Sequence, residues 1–431
     1  MHELRVADVF TPNDFPLHSY VKREGVQVED ALVHALKIPN AVISISGPSK
    51  SGKTVVIGKV IGADNLILVS GAEIRTPDDI WNKVLDWMGA PSELVEKTGQ
   101  MAGEEYGLGG KLEAKLPLLA GVEGRTEVRQ TGEKVSSTSA TRKRGGLEQV
   151  RADIADSAYV VFLDDFHYMD RALQTEVARH IKTGAERGIR FCIASVPHRS
   201  DDVVRSNPEL RGRTTNIDTS FWSQGDLRKI ADTGFAALNC VLPPALITNL
   251  AAEACGSPQL MQSLCLNLCF RISLIERPLA TRTVGAHEVD VSEVLEATSA
   301  QTDYSSLVRT MHQGPRVRGM ERKEHYFSDG TKGDVYRAVL LAIAKSPPLL
   351  EFPYQTLVDR IAQVCPSDPP SGSSVLSACR QMAQMARTMH PDQRIIEFDD
   401  DVGAGVLSVV DPYLLFYLRA SKKLQSLAQA A

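Results

Sequence analysis

The sequence contains no apolar run near the ~18–20 residues needed to cross a bilayer, so no transmembrane helix is expected. It opens MHELRVADVFTPNDF, without the basic-then-apolar order of a secretory leader. Positive charge is not in excess. Lys and Arg number 48 against 53 Asp and Glu, a net charge of −5, which excludes a globally basic nucleic-acid binder but leaves room for local patches. Cysteine is sparse: seven, an odd number, without paired metal spacing. Cys265 and Cys269 stand four apart in the helix-like CLNLC with no His or Cys close by in sequence. Buried thiols in a reducing cytoplasm are the expectation, rather than disulfides or a zinc module. No repeat of fixed period is present, which excludes a solenoid.

What remains is an ordinary soluble composition, 43% hydrophobic over 431 residues, a length that suits two or three domains. A leading segment to about residue 40 holds the turn signal TPNDFP and the helical VEDALVHAL. AVISIS, NLILVSG, AYVVFLDD, IRFCIAS and TTNIDTSFW then read as short buried strands with helical stretches between them. That alternation predicts an α/β fold, a mainly parallel sheet with helices on both faces. Residues 103–146 interrupt it. KLEAKLPLLAGVEGRTEVRQT has period-two alternation that suits a hairpin, and SSTSATRKRGG, residues 136–146, reads as a mobile loop. From 224 to about 300 the pattern is helical. Residues 301–333 read as a linker with the basic stretch HQGPRVRGMERK. Residues 334–431 give three helices, a hairpin in RIIEFDDDVGAGVLSVV and the final DPYLLFYLRAS, the order of a winged helix.

GPSKSGKT, residues 47–54, matches G-x-x-x-x-G-K-[ST] between a predicted strand and a predicted helix, the context this motif requires. Gly47 and Gly52 permit dihedrals that other residues resist. Pro48, Ser49, Lys50 and Ser51 would bend main-chain N–H groups around a β-phosphate, at the positive end of a helix that continues through Val55. Lys53 would bridge the β- and γ-phosphates, and the Thr54 hydroxyl would hold Mg²⁺. YVVFLDD delivers the matching acids at a strand's C-terminal edge. Asp164 is placed to order Mg²⁺, and Asp165 to orient or deprotonate an attacking water. His167 reads as a packed or exposed histidine rather than a catalytic one.

On these motifs the chain resembles AAA+ and STAND-type P-loop ATPases over roughly residues 10–300, with a C-terminal block that resembles the winged-helix domain of origin-recognition and STAND ATPases. The resemblance implies a three-layer P-loop NTPase core over 1–223, a helical lid over 224–300 and a winged-helix domain over 334–431. It implies ATP and Mg²⁺ as ligands. Ser195, at the end of FCIAS, matches the polar "sensor 1" group, with His198 the second choice. Arg211 and Arg213 fall where a trans-acting arginine finger occurs, which implies a homo-oligomer. Gln259 stands near the position where many relatives carry a "sensor 2" arginine, a departure that shifts weight onto Arg211 or Arg213. Tyr20 and Val21 are placed to wall the adenine. Asp165 replaces the usual Glu and is one methylene shorter, so slow hydrolysis is expected.

Lys53 and Asp164 stand 111 positions apart, and the excess length lies in the 103–146 insertion. That insertion reads either as a solvated loop or as a pore hairpin whose Arg142, Lys143 and Arg144 meet nucleic-acid phosphates. The presumed wing carries acids, so a protein contact is favoured there over DNA reading. Residues 309–323 are the other phosphate-contact candidate. The combined expectation is an oligomeric ATPase switch with a protein partner, of the kind that serves mobile elements or phage defence. The alternatives are a DNA loader of the origin-recognition type or a non-hydrolysing scaffold.

Overall fold

In the computed structural model, five parallel strands share one register and end on one edge. The structure describes residues 4–429 apart from 24, 26, 49, 91–92, 99–137, 144, 196–203, 205, 220–221, 317–321, 392, 401–402 and 404. Helices α1 (Val6–Val9) and α2 (Val28–Ala35) precede β1 (Val42–Ser46) and α3 (Lys53–Ile61). There follow β2 (Leu66–Ser70), α4 (Asp79–Trp87), the paired β3 (Glu93–Thr98) and β4 (Thr138–Lys143), α5 (Gly146–Ile154), β5 (Val160–Asp164), α6 (Arg171–Glu186), β6 (Arg190–Ser195) and β7 (Thr214–Asp218). The sheet order is β2-β5-β6-β1-β7. Ser46 lies beside Ser195 on one side and Asp218 on the other, and Ser70 lies beside Asp164. The polar strand ends therefore form one rim.

Strand alternation sorts the core into two layers. Val160 and Phe162 pack with Ile43, Ile45 and the buried faces of α2 and α3. Val161 and Leu163 point the other way, onto Trp81 of α4, Val150 of α5 and Ile181 of α6. This is the three-layer α/β sandwich that the alternation of strands and helices implied.

The helical block expected as the lid comprises α7 (Gln224–Ala237), α8 (Pro244–Glu253), α9 (Pro258–Arg271) and α10 (Val291–Ser299). Side chains of Ser223 and Ser257 cap α7 and α9. The rest holds α11 (Ser305–Gln313), α12 (Val335–Ala344), β8 (Glu351–Pro353), α13 (Tyr354–Val364), α14 (Gly372–Met389), β9 (Ile396–Asp399), β10 (Val406–Val409), α15 (Pro412–Ala420) and α16 (Lys423–Gln429). Here β8-β10-β9 form an antiparallel sheet, giving the helix–strand–helix–helix–hairpin order of a winged helix. One apolar cluster runs unbroken from Leu250, Leu264 and Leu268 of the lid to Leu340, Leu414 and Phe416 of the C-terminal fold.

Three expectations change. The first ten residues do not belong to the sheet: Val6, Val9 and Phe10 are buried in the lid cluster, and Val6 N–H donates to the Ile275 carbonyl at 2.9 Å. Residues 301–333 are not simply a linker, because α11 buries Leu307, Val308 and Met311 against the same core. The stretch 136–146 is not all loop, since Thr138–Lys143 pairs antiparallel with Glu93–Thr98; the intervening 99–137 lie outside the described residues. All seven cysteines are buried and free, as expected. Among the described residues no helix is long and apolar enough to cross a membrane.

A methyl added at Gly234 of α7 would lie 2.3 Å from the Phe10 ring. Gly234→Ala should therefore destabilise the chain by about 1–3 kcal/mol through overpacking. Denaturant unfolding measures it, and trimming Phe10 to Leu in the same chain should recover part of the loss.

Candidate nucleotide site

The turn after β1 is stitched to its neighbouring strands. Gly47 N–H donates to the Ser195 carbonyl at 3.1 Å, and the Thr219 N–H and hydroxyl both donate to the Ser46 carbonyl, at 2.7 and 2.9 Å. A Cβ on Gly47 would fall 1.8 Å from the Thr219 hydroxyl, so only glycine fits. Lys50 and Gly52 both take the left-handed region, at φ 60° and 88°. Helix α3 then starts at Lys53 with no side-chain cap on its first N–H groups. The Lys53 ammonium curls back and donates to the Gly47 and Pro48 carbonyls, each at 2.8 Å. Burial pulls Lys53 below the ordinary lysine range, against the opposing charges of Asp164 and Asp165. The loop thus encloses a positive charge and uncapped helix-end donors, which suits a polyanion.

The two motifs meet. The Thr54 hydroxyl donates to Asp164 Oδ2 at 3.1 Å, across 110 positions of sequence. Asp164 Oδ1 accepts the Asp165 N–H at 2.9 Å. Asp165 sits in the left-handed region, φ 55°, and a Cβ on Gly71 would lie 2.5 Å from its carbonyl oxygen, so the strand-end turn is tightly enclosed. Burial, then the neighbouring Asp164 charge, pushes the Asp165 carboxyl up to about 6 despite Lys53. A hydroxyl and a carboxylate side by side are hard oxygen donors of the kind Mg²⁺ takes.

A cavity of about 560 Å³ opens between the P-loop, the acids, the leading segment and the lid. Two residues that line it, Ser195 and Gln259, each carry a buried polar atom with no hydrogen-bond partner among the described residues, Ser195 Oγ and Gln259 Oε1. An unsatisfied buried acceptor is costly, so both fit a ligand that supplies the missing bond. Tyr20 and Val21 are among the residues that line the cavity. Tyr20 donates to Glu29 at 2.7 Å and stacks on Phe15 with centroids 6.0 Å apart.

Other expected residues lie elsewhere. Arg211 and Arg213 sit before the first residue of β7, at the rim opposite the P-loop, roughly 16 Å of strand away. Neither can serve this chain's own site. Arg213 pairs with Glu186 at 2.8 Å, and Arg211 is exposed. Ser49 and His198 lie outside the described residues. Gln259 faces the cavity while donating to Asn13 at 3.2 Å.

The structure adds residues that sequence reasoning missed. Trp222 Nε1 donates to the Ser51 carbonyl at 2.9 Å, and Ser257 Oγ to the Lys50 carbonyl at 3.3 Å. Arg394 and Val410, from the C-terminal fold, also line the cavity. Burial pushes the neighbouring Tyr168 phenol up from its ordinary value, with Arg394 opposing the shift. Residues this far apart share no local pattern, so no sequence signal brought them to the site.

No family model matches the chain, and no curated protein matches it in sequence. Its overall course is similar to several solved structures. The ORC2 protein of Aeropyrum pernix, in complexes with ADPNP and ADP, is 11% identical, with 99% of each chain covered and a TM-score of 0.49. A Walker-type ATPase of Pyrococcus abyssi is 12% identical over 93% of this chain and 96% of that one, at 0.48. The RuvB Holliday junction branch migration motor of Thermotoga maritima is 14% identical over 71% and 82%, at 0.40. The Gly-Lys-Thr turn after β1 and the acids at the end of β5, with the polar-ended β6 between them, give this chain a P-loop NTPase α/β architecture, followed by a helical block and a C-terminal fold of helices with a three-stranded antiparallel sheet.

Proposed function

We propose that the protein is a Mg²⁺-dependent ATPase of slow turnover that acts as an oligomeric switch, coupling its nucleotide state to assembly and to a protein partner. The observation that carries the reading is the meeting of Thr54 with Asp164 beside the enclosed Lys53 ammonium. In it, phosphate oxygens replace the Gly47 and Pro48 carbonyls around Lys53. Thr54 and Asp164 would hold Mg²⁺, which would supply charge neutralisation at the phosphates. Asp165 takes the proton of the attacking water, whose oxygen bonds to the γ-phosphorus as ADP departs. The orphaned Ser195 hydroxyl donates to the γ-phosphate or the water. The base lies along the wall formed by Tyr20 and Val21.

In this reading Arg211 or Arg213, on the rim opposite their own site, acts on a neighbouring copy's phosphate in a homo-oligomer; the exposure of Arg211 supports it, and Arg213 would first have to leave Glu186. A protein partner is favoured over DNA because three described basic residues of the C-terminal region are paired with acids of the same chain. Arg322 pairs with Asp334 at 2.7 Å, Lys323 with Asp368 at 2.8 Å and Arg380 with Asp400 at 2.6 Å. The seven buried thiols suit a reducing cytoplasm. The setting in phage defence or mobile elements rests on the sequence resemblance alone.

Three outcomes test this. Lys53→Ala should lose ATP binding in a direct titration while keeping the far-UV signature of the parent; parental affinity would refute the site. Because Asp165 is raised, its carboxylate form is lost as pH falls through about 6. Single-turnover hydrolysis should fall about tenfold per unit below that point, and Asp165→Asn should abolish the limb and cost about 10²–10⁴-fold in rate. Native mass should rise with ATP, and Arg211→Ala or Arg213→Ala should block the rise; a mass unchanged by ATP in the parent would remove the oligomer.

A further inference from the structure

The P-loop is held from the far end of the chain. Lys50 Nζ donates to both carboxylate oxygens of Asp411, at 3.0 and 2.9 Å, across 361 positions. The same ammonium stands 4.2 Å from the centroid of the Tyr413 ring. Asp411 is buried and fixed by two further bonds: it accepts the Tyr304 hydroxyl at 2.7 Å and, as N-cap of α15, the Tyr413 N–H at 2.9 Å. Tyr413 is pinned in turn by the Ser263 hydroxyl of α9 at 3.0 Å. The carboxylate is thus held by two donors before it meets the lysine, and its place is set by α15, by Tyr304 and, through Tyr413, by α9.

What it holds matters. Lys50 is a non-glycine residue in the left-handed region, a conformation that costs energy unless its surroundings impose it. That backbone bend turns the P-loop between Pro48 and Gly52. Arg394 and Val410 extend the same domain's presence along the cavity wall.

We propose that Asp411 is a positioning residue of the nucleotide site: through Lys50 it keeps the P-loop in its phosphate-ready curl, and bound nucleotide in turn fastens the winged-helix fold to the ATPase core. This rests on the P-loop reading above. The two directions are one coupling, because a contact that favours ligand binding must be favoured by the ligand to the same factor. The pair is shielded and bidentate, so it outweighs a surface ion pair.

Asp411→Asn isolates the interaction, since Asn caps helices about as well as Asp and keeps an acceptor for Tyr304. Lys50→Met removes the charge and keeps an apolar stem over Tyr413. Each variant should weaken ADP binding about tenfold, within the usual range of coupled sites, and the double variant should weaken it no further than either alone. KM for ATP should rise by the same factor with kcat little moved, and Lys50→Arg should recover most of the affinity. Hydrogen exchange across 394–420 should slow with ADP in the parent and lose that response in both single variants. Lys53→Ala is the control: if it binds ADP like the parent, the P-loop reading itself fails. If that control loses ADP while Asp411→Asn binds at parental affinity, or if the two single losses simply add, the positioning role is overturned.

Discussion

The contact between Thr54 and Asp164 organises this molecule. Asp164 ends β5 and Thr54 lies in the first turn of α3, just beyond β1, and β6 stands between those two strands. They meet because all five strands run parallel and finish on the same rim, so residues distant in sequence become adjacent at the sheet's C-terminal edge. Everything charged in the site is arranged around that point. Burial pulls Lys53 below the ordinary lysine range against the pull of the two aspartates, and Asp165 is pushed toward neutrality by burial and by the charge beside it. Each is held in an electrically expensive state, relieved by a ligand that carries both a metal and a polyanion.

A second level of organisation surrounds the turn. The P-loop is touched by β6 through Ser195, by β7 through Thr219, by the start of the lid through Trp222 and Ser257, and by the C-terminal fold through Asp411. A loop with so many outside partners is a rigid receptor rather than a flexible strap. Preorganised donors of this kind add to binding because little ordering remains to be done when the ligand arrives.

Much of this was legible in the sequence, and the reasons differ by feature. The Gly47–Thr54 turn announced itself because backbone curvature, helix polarity and two side-chain functions impose fixed residue types at fixed spacing. The acids were visible because an apolar run such as VVFL must be buried, and two carboxylates at its end face a desolvation cost that a purely structural strand would avoid. The sandwich followed from strands alternating with helices, and the winged-helix order from three helical stretches and a turn-rich hairpin. Other features leave no such mark. The strand Glu351–Pro353 is three residues long, ends in proline and has too few positions for alternation to show. Phe10 reads as any apolar residue, and only Gly234 opposite it reveals a close approach. Asp411 caps a helix in any reading, and its second task depends on a lysine 361 positions away. The single core shared by lid and C-terminal fold was hidden because domain boundaries were inferred from composition, whereas α11 is amphipathic within a polar stretch.

That shared core has a mechanical consequence. Helix α1 belongs to it as much as α15 does, so segments on both sides of the sheet in sequence lie in one body and the parallel sheet is spliced between them as an excursion. Such an excursion is joined to its host by two crossings of the backbone, near residues 11–22 on the way out and near Thr219 and Trp222 on the way back. Both crossings border the cavity, the first through Tyr20 and the second through Trp222. Any pivoting of one body against the other must bend these two threads together, at the very seam where the nucleotide would sit.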